Sequence, residues 1–210
     1  MKENWYDRHV LAYVLDLMCG LKSVSKQRVK VVPLAYGRVL EIGIGTGLNM
    51  PHYDRARVSK ITGVEPSLRM HHLAQKRIDS AGLKVELVGL SAEKLPLADA
   101  SFDCIVMTYT LCSITDPMAA LKEMRRVLVP GGELFFCEHG RAPEEAVRRW
   151  QARLQPAWGC MAGGCQLGRN IPLLITQAGF ELRNMEAAYG DGPKPLAYNF
   201  WGEAIAPVPA

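Results

Sequence analysis

Val39-Leu40-Glu41-Ile42-Gly43-Ile44-Gly45-Thr46-Gly47-Leu48-Asn49 decides how this chain is read. An apolar run of buried-strand type enters a glycine-rich turn that leads toward a helix. Glu41 stands two places before the first glycine, and a second acid, Glu65, follows that glycine by 22 residues. Glu65 closes another short apolar strand, Lys60-Ile61-Thr62-Gly63-Val64. Glycines let a backbone come close to a ligand and adopt angles other residues avoid. A carboxylate at the tip of the second strand can hold both hydroxyls of a ribose. The geometry suits a nucleotide-like ligand.

Spacing selects among such ligands. A dinucleotide fingerprint, G-x-G-x-x-G, would need glycine at Leu48, but the third glycine comes one place early, at Gly47. A pyrophosphate site also aims a helix N-terminus at two negative phosphates, which an acid just before the turn opposes. Glu41 suits a ligand with a positive amino group instead. The pattern E-x-G-x-G-x-G followed by a ribose acid resembles the class I S-adenosylmethionine-dependent methyltransferases. That resemblance implies S-adenosylmethionine as cofactor, with Glu41, Gly43, Gly45, Gly47 and Asn49 around its methionine end. It places Glu65 on the ribose, Pro66 and Ser67 beside the adenine, and Ser91-Ala92-Glu93 along the adenine edge. Ser91 stands where the family often has an acid. Thr108, at the end of the fourth strand, faces the transferred methyl.

Composition sets the bounds. At 210 residues the chain fits one domain with a substantial core. It is 49% apolar and 22% charged, as ordinary globular proteins are. The net charge of +4 comes from scattered Lys and Arg without a basic stripe, so nucleic acid is not the expected partner. The apolar stretch from Val10 to Leu21 is broken by Asp16 and is too short to span a bilayer. No cleavable signal precedes it. A cytoplasmic protein without stable membrane insertion is expected, its oligomeric state open. Cys160 and Cys165 have neither a second pair nor a sequence-adjacent histidine, so no metal is expected. Cys104 and Cys137 read as core residues within strands.

Apolar runs and turn residues alternate along the chain. They predict strands at 37–42, 60–64, 83–88, 102–108 and 132–137, with helices at 47–54, 67–80 and 116–127 between them. Ser67 and Asp116-Pro117 mark helix starts, and Pro130-Gly131-Gly132 marks a turn. Beyond come a helix at 143–155, a glycine-rich loop at 159–168, a helix at 169–178, and strands at 180–188 and 195–205. The expected fold is α/β and Rossmann-like. A mostly parallel seven-stranded sheet carries helices on both faces, in a single domain over 1–210 with its core at 37–210. Helical periodicity at 8–20 and 21–32 makes the first 36 residues either a lid over the cofactor or a packing layer on the sheet edge.

Chemistry is expected at two further places. His139, in Glu138-His139-Gly140-Arg141, follows the fifth strand, where open parallel sheets bind ligands. Trp5-Tyr6-Asp7-Arg8-His9 precedes the first long helix, and Tyr6, Asp7 and His9 are expected to fold over His139 as acceptor-side residues. Asp7 also reads as a helix N-cap.

The run Phe135-Phe136-Cys137-Glu138-His139, then Trp150-Gln151, Pro156-x-Trp158 and Gly164-Cys165-x-Leu167-x-Arg169, resembles the methyltransferase-like thiol S-methyltransferases and their bacterial relatives. This narrower resemblance implies hydrogen sulfide or methanethiol as acceptor, giving methanethiol or dimethyl sulfide, with His139 or His9 taking the thiol proton. The animal members carry a hydrophobic membrane-anchoring N-terminus, whereas this chain begins directly at the first helix and reads as a soluble relative. Through Tyr6-Asp7 and the 40–50 region the chain also resembles bacterial phospholipid N-methyltransferases, which act on phosphatidylethanolamine. A non-catalytic cofactor-binding module is the third reading.

Overall fold

A computed structural model describes residues 5–208, so the terminal residues of the expected 1–210 span lie outside it. Seven strands form one sheet in the order β3-β2-β1-β4-β5-β7-β6. They are β1 (Gly37–Ile42), β2 (Val58–Val64), β3 (Val85–Val88), β4 (Phe102–Thr108), β5 (Leu128–His139), β6 (Glu181–Tyr189) and β7 (Tyr198–Ile205). The first five run parallel, and β7 lies antiparallel between β5 and β6. The expected sheet is therefore observed. Central strands of such a sheet are covered on both faces and read as continuous apolar runs. Along β1 and β4, Leu40, Ile42, Ile105 and Met107 enter one buried cluster. Val39, Cys104 and Val106 enter the other. This two-residue alternation is that of a strand between two helical layers.

The first strand pairs with β2 on one side and β4 on the other. Chain order reverses there, and a crevice opens beyond the carboxyl ends of the two strands, where such sheets bind ligands. The covering helices are α1 (Trp5–His9), α2 (Leu11–Cys19), α3 (Lys22–Arg28), α4 (Leu68–Ala81), α5 (Pro117–Val127), α6 (Glu145–Met161), α7 (Ile171–Gln177) and α8 (Lys194–Ala197). Ser67 caps α4 by accepting from the Met70 N–H, and Gly82 ends it in the left-handed conformation. Asp116 caps α5 from the Ala119 N–H, with Pro117 at the first helical position.

Four elements depart from the sequence reading, the simplest being the strand expected at 195–205, which begins only at Tyr198 after the short helix Lys194–Ala197. The helix expected at 47–54 is a turn followed by one 3₁₀ turn, Met50–His52. Gly47 at φ +78° bars a helix from starting earlier, and Tyr53 is drawn into extended backbone by its bond to Glu41. The sixth helix runs to Met161, through Pro156, where a loop was expected from 159. Pro156 deprives the Ala152 carbonyl of its partner, but both residues face solvent, so water can serve it. Pro130-Gly131-Gly132 is a bulge inside β5: Phe102 pairs with Leu128 and Cys104 already with Glu133.

Among the described residues, no helix is long and apolar enough to cross a membrane.

Candidate active site

The crevice holds a cavity of about 600 Å³, lined from α1–α3, the glycine turn, and the ends of β2, β4 and β5. The three glycines of the turn all have positive φ, at +68°, +53° and +78°, yet they differ in what they permit. A Cβ on Gly43 would overlap the Thr110 side chain, whereas one on Gly45 would meet nothing nearer than 3.8 Å and would point into the open crevice. Gly47 is absent from the cavity lining, and a Cβ on it would meet Ala74 of α4 at 3.4 Å. Glu65 follows β2 at the cavity wall, 8% exposed, and accepts the Ser67 N–H at 3.0 Å. Burial pushes its carboxyl up, although the N–H groups of Ser67 and Gly45 oppose the shift. Pro66, Ser67, Ser91, Ala92 and Glu93 continue the same wall. Ser91 donates to Glu93 at 2.9 Å, and Glu93 accepts the Asp116 N–H at 2.7 Å, which ties this loop to the start of α5.

Glu41 does not line the cavity. It is 1% exposed behind the turn, where Asn49 Nδ2 donates to it at 2.9 Å and Tyr53 Oη at 2.8 Å. Burial pushes its carboxyl up to about 7. Asn49 also lies behind the wall and donates to Thr108 at 3.0 Å. Arg28 completes this network from α3, donating to Asn49 at 2.9 Å and to Thr108. The sequence reading missed Arg28. It lines the cavity at 5% exposure, its Nε has no hydrogen-bond partner, and its guanidinium lies 5.2 Å from the Tyr109 ring centre. Its one sequence signal is helical spacing with Leu21 and Val24, which also line the cavity.

Beyond the glycine turn the strand ends gather sulfur. Tyr109 follows β4 at φ +54°, rare for an aromatic residue, and donates to Asn199 at 3.1 Å. Glu138 is wholly buried and accepts the N–H groups of Thr110 at 2.7 Å and Leu111 at 3.0 Å. Burial pushes its carboxyl up to about 8. Those two bonds aim the 110–112 segment, so that Cys112 meets His139. His139 Nε2 lies 2.8 Å from Cys165 Sγ, and the Cys112, His139 and Cys165 donor atoms all fall within 4.8 Å of one another. All three residues line the cavity. The Cys165 thiol beside it, joined by His139, holds the Cys112 thiol well below its ordinary value. Burial disfavours a charged His139 ring, but Cys112 outweighs it and pushes the imidazole up.

The second-half motif holds this cluster together. Gln155 of α6 donates to the Cys165 carbonyl at 2.9 Å and accepts the Leu167 N–H at 2.8 Å. Arg169 donates to the carbonyls of Leu111 and Ile114. Trp158 packs on Cys112 and Cys165. Cys160, the near neighbour of Cys165 in sequence, is exposed, and Cys165 finds its neighbours on β5 and after β4.

The N-terminal segment is reached only in part as expected. Asp7 lines the cavity, and Tyr6 Oη donates to the Met161 carbonyl at 2.9 Å. His9 is exposed, stacks on Trp5 at 5.5 Å and does not line the cavity. Trp5 and His9 share one face of α1 at i, i+4 spacing, and that face turns to solvent. The expected approach of His9 to His139 is not formed. The second helix is fastened instead by Asp16, which accepts from Thr46 Oγ1 at 2.5 Å and from Arg77 at 2.8 Å.

The chain is similar to known proteins in sequence and in fold. Residues 40–136 match the family model described as "Methyltransferase domain". Thiol S-methyltransferase TMT1B of Homo sapiens is 33% identical over 199 residues, covering 90% of this chain and 79% of that protein. The Rattus norvegicus protein of that name is 36% identical over 152 residues, and the match spans only 62% of its length. Phosphatidylethanolamine N-methyltransferase of Cereibacter sphaeroides is 34% identical over 153 residues, covering 70% of this chain and 74% of that protein. Among solved structures, a SAM-dependent methyltransferase of Thermotoga maritima superposes with a TM-score of 0.68 at 26% identity, covering 96% and 97% of the two chains. The glycine turn, the acid at the tip of β2, the sheet order and these relatives agree: the chain belongs to the class I S-adenosylmethionine-dependent methyltransferases, and S-adenosylmethionine is its cofactor.

Proposed function

We propose that this protein methylates a small thiol, of the size of hydrogen sulfide or methanethiol. The cofactor supplies a methyl group on a sulfonium centre, open to in-line attack by a nucleophile. The wall fits that cofactor. Gly45 leaves an open cradle, Glu65 offers its carboxylate to the ribose hydroxyls, and Pro66, Ser67 and the 91–93 loop border the adenine. Arg28, with an unpartnered Nε in the cavity wall, offers its charge to the methionine carboxylate. Glu41 and Asn49 act from behind by fixing Arg28 and Thr108.

One observation carries the thiol reading. The far end of the cavity is lined by Cys19, Cys112, Cys165, His139, Tyr109 and Trp158, a sulfur-rich and aromatic surface. Sulfide and methanethiol have almost nothing to hydrogen-bond, so such a wall selects them by size. One methylene is worth only about 1–3 kcal/mol there, so several small thiols should react. A thiol attacks as its thiolate and ordinarily titrates near about 8.5, so the polar groups at this end must favour ionisation. His139 is the nearest to hand, while Asp7 faces the acceptor and Tyr6 holds α1 against α6. The thiol S-methyltransferase relatives support the reading.

A phospholipid acceptor is the second reading. It draws on the Cereibacter relative and on the exposed Trp5, Tyr13, Leu17 and Leu21 along α1–α3, an apolar surface a bilayer could meet. Incubation with methyl-labelled cofactor and each acceptor separates the two. Labelled volatile thioether or methanethiol supports the thiol reading, and label found only in lipid overturns it.

A further inference from the structure

We propose that Cys112, His139 and Cys165 form a three-ligand site for zinc, whose open fourth position faces the cavity and takes the acceptor's sulfur. The proposal rests on the thiol reading and names what would make the thiolate.

Three donors within 4.8 Å of one another suit one small cation. Zinc binds sulfur at about 2.3 Å and imidazole at about 2.0–2.1 Å, so tetrahedral donor pairs sit roughly 3.5–3.8 Å apart, and the His139–Cys165 pair, hydrogen-bonded at 2.8 Å, opens by roughly 0.7 Å as zinc replaces the shared proton. Two thiolates and one imidazole are a soft set that favours zinc over magnesium or calcium. Catalytic zinc keeps three protein ligands and one open position, whereas structural zinc closes with four. Here the three ligands line a cavity already argued to take a small thiol, so the open position faces that acceptor.

The surroundings are built as a ligand shell needs. The three donors come from three separate segments, each held from behind. Arg169 grips the Leu111 carbonyl beside Cys112, Gln155 grips the Cys165 carbonyl, and His139 is the last residue of β5. Such outer contacts fix ligand orientation. Ordinary core packing would explain a buried cysteine, but not two sulfurs and an imidazole converging on a ligand cavity.

The step balances. The acceptor R–SH gives its proton to solvent as its sulfur joins the cation. A sulfur lone pair then forms the new S–CH₃ bond while the methyl's bond to the sulfonium breaks. The breaking bond's electron pair stays on that sulfur, which becomes a neutral thioether. The methylated product is also neutral, a weaker ligand than a thiolate, and leaves.

The test is cobalt(II) titration of the full-length protein, with metal content of the purified protein measured alongside. Stoichiometric cobalt with intense thiolate-to-metal charge-transfer absorption is expected, and its visible bands should shift when methanethiol is added. Cys112→Ser, Cys165→Ser and His139→Ala should each weaken cobalt binding at least about tenfold, while Cys160→Ser should not. Absence of the charge-transfer band in the parent protein, a measurement that needs no variant to fold, overturns the site. Thiol methylation at full rate after complete chelation also overturns it and leaves the thiol reading standing. Cobalt bands that never respond to a thiol, in a protein that methylates none, overturn the fourth-position claim together with that reading.

Discussion

The cavity has two ends built in different ways. At the cofactor end the wall is largely backbone, supplied by one contiguous turn and by the tip of the next strand. Gly43, Gly45 and Glu65 lie within a short span of sequence, and their spacing is fixed by a local strand-turn-strand geometry. At the acceptor end the wall is side chains from distant segments. Cys112 comes after β4, His139 ends β5, and Cys165 follows α6. A cofactor shared by a whole family can be held by a local device. An acceptor that differs between members is met by residues that only the completed fold assembles.

Substitutions should therefore fall into two kinds, and the largest effect belongs to the local device. Gly43→Val puts a branched side chain into Thr110 at φ +68°. The positive φ and the overlap together should cost at least about 2 kcal/mol of stability and abolish cofactor binding. Denaturant unfolding and calorimetry read both, and near-parental values of each would show that the turn tolerates a side chain. At the other end, His139→Ala should lower kcat for a thiol about 100-fold or more while cofactor affinity stays at the parental value. If affinity and kcat fall together, the two ends are not separable.

Smaller changes sharpen the contrast. Glu65→Ala should weaken cofactor affinity roughly tenfold or more, for the loss of a charge-assisted bond of about 1.5–3 kcal/mol. Glu41→Gln should weaken it less, since Glu41 reaches the cavity only through Asn49 and Arg28. The reverse order by calorimetry would place Glu41 in direct contact.

The smallest effect concerns the fastening of α2. Burial alone would raise the Asp16 carboxyl, but Arg77 and Thr46 outweigh it and hold it below its ordinary 3.8. A depressed acid stabilises the fold above its unfolded value and loses that contribution as pH falls through the folded one. Both partners are about one-third exposed, so the worth is about 1 kcal/mol or less. Asp16→Asn should thus be slightly less stable than the parent at pH 6, with the gap closing below pH 3.8. A gap that widens in acid would show that the pair is not the fastening.

The same contrast explains what the sequence could tell. The mostly parallel seven-stranded sheet and the strand and glycine turn at 39–49 were legible, because apolar alternation and glycine spacing are local signals. The helix expected at 47–54 failed because Gly47 bars an early start and Tyr53 is claimed by a buried acid that lies behind it. His139 could be placed at the crevice by topology. Its neighbours could not, because no spacing links Cys112 to Cys165. Cys160, near Cys165 in the chain, is turned outward by the fold. Arg28 was hidden for the same reason: its value lies in Asn49 and Thr108, 21 and 80 residues away.

Product identity tests the central claim most directly. The purified protein is incubated with methyl-labelled S-adenosylmethionine and, separately, with sulfide, methanethiol, larger thiols and phosphatidylethanolamine vesicles. The account predicts labelled methanethiol from sulfide and dimethyl sulfide from methanethiol, with turnover falling as the thiol grows. Label in phosphatidylethanolamine and in no thiol would contradict it.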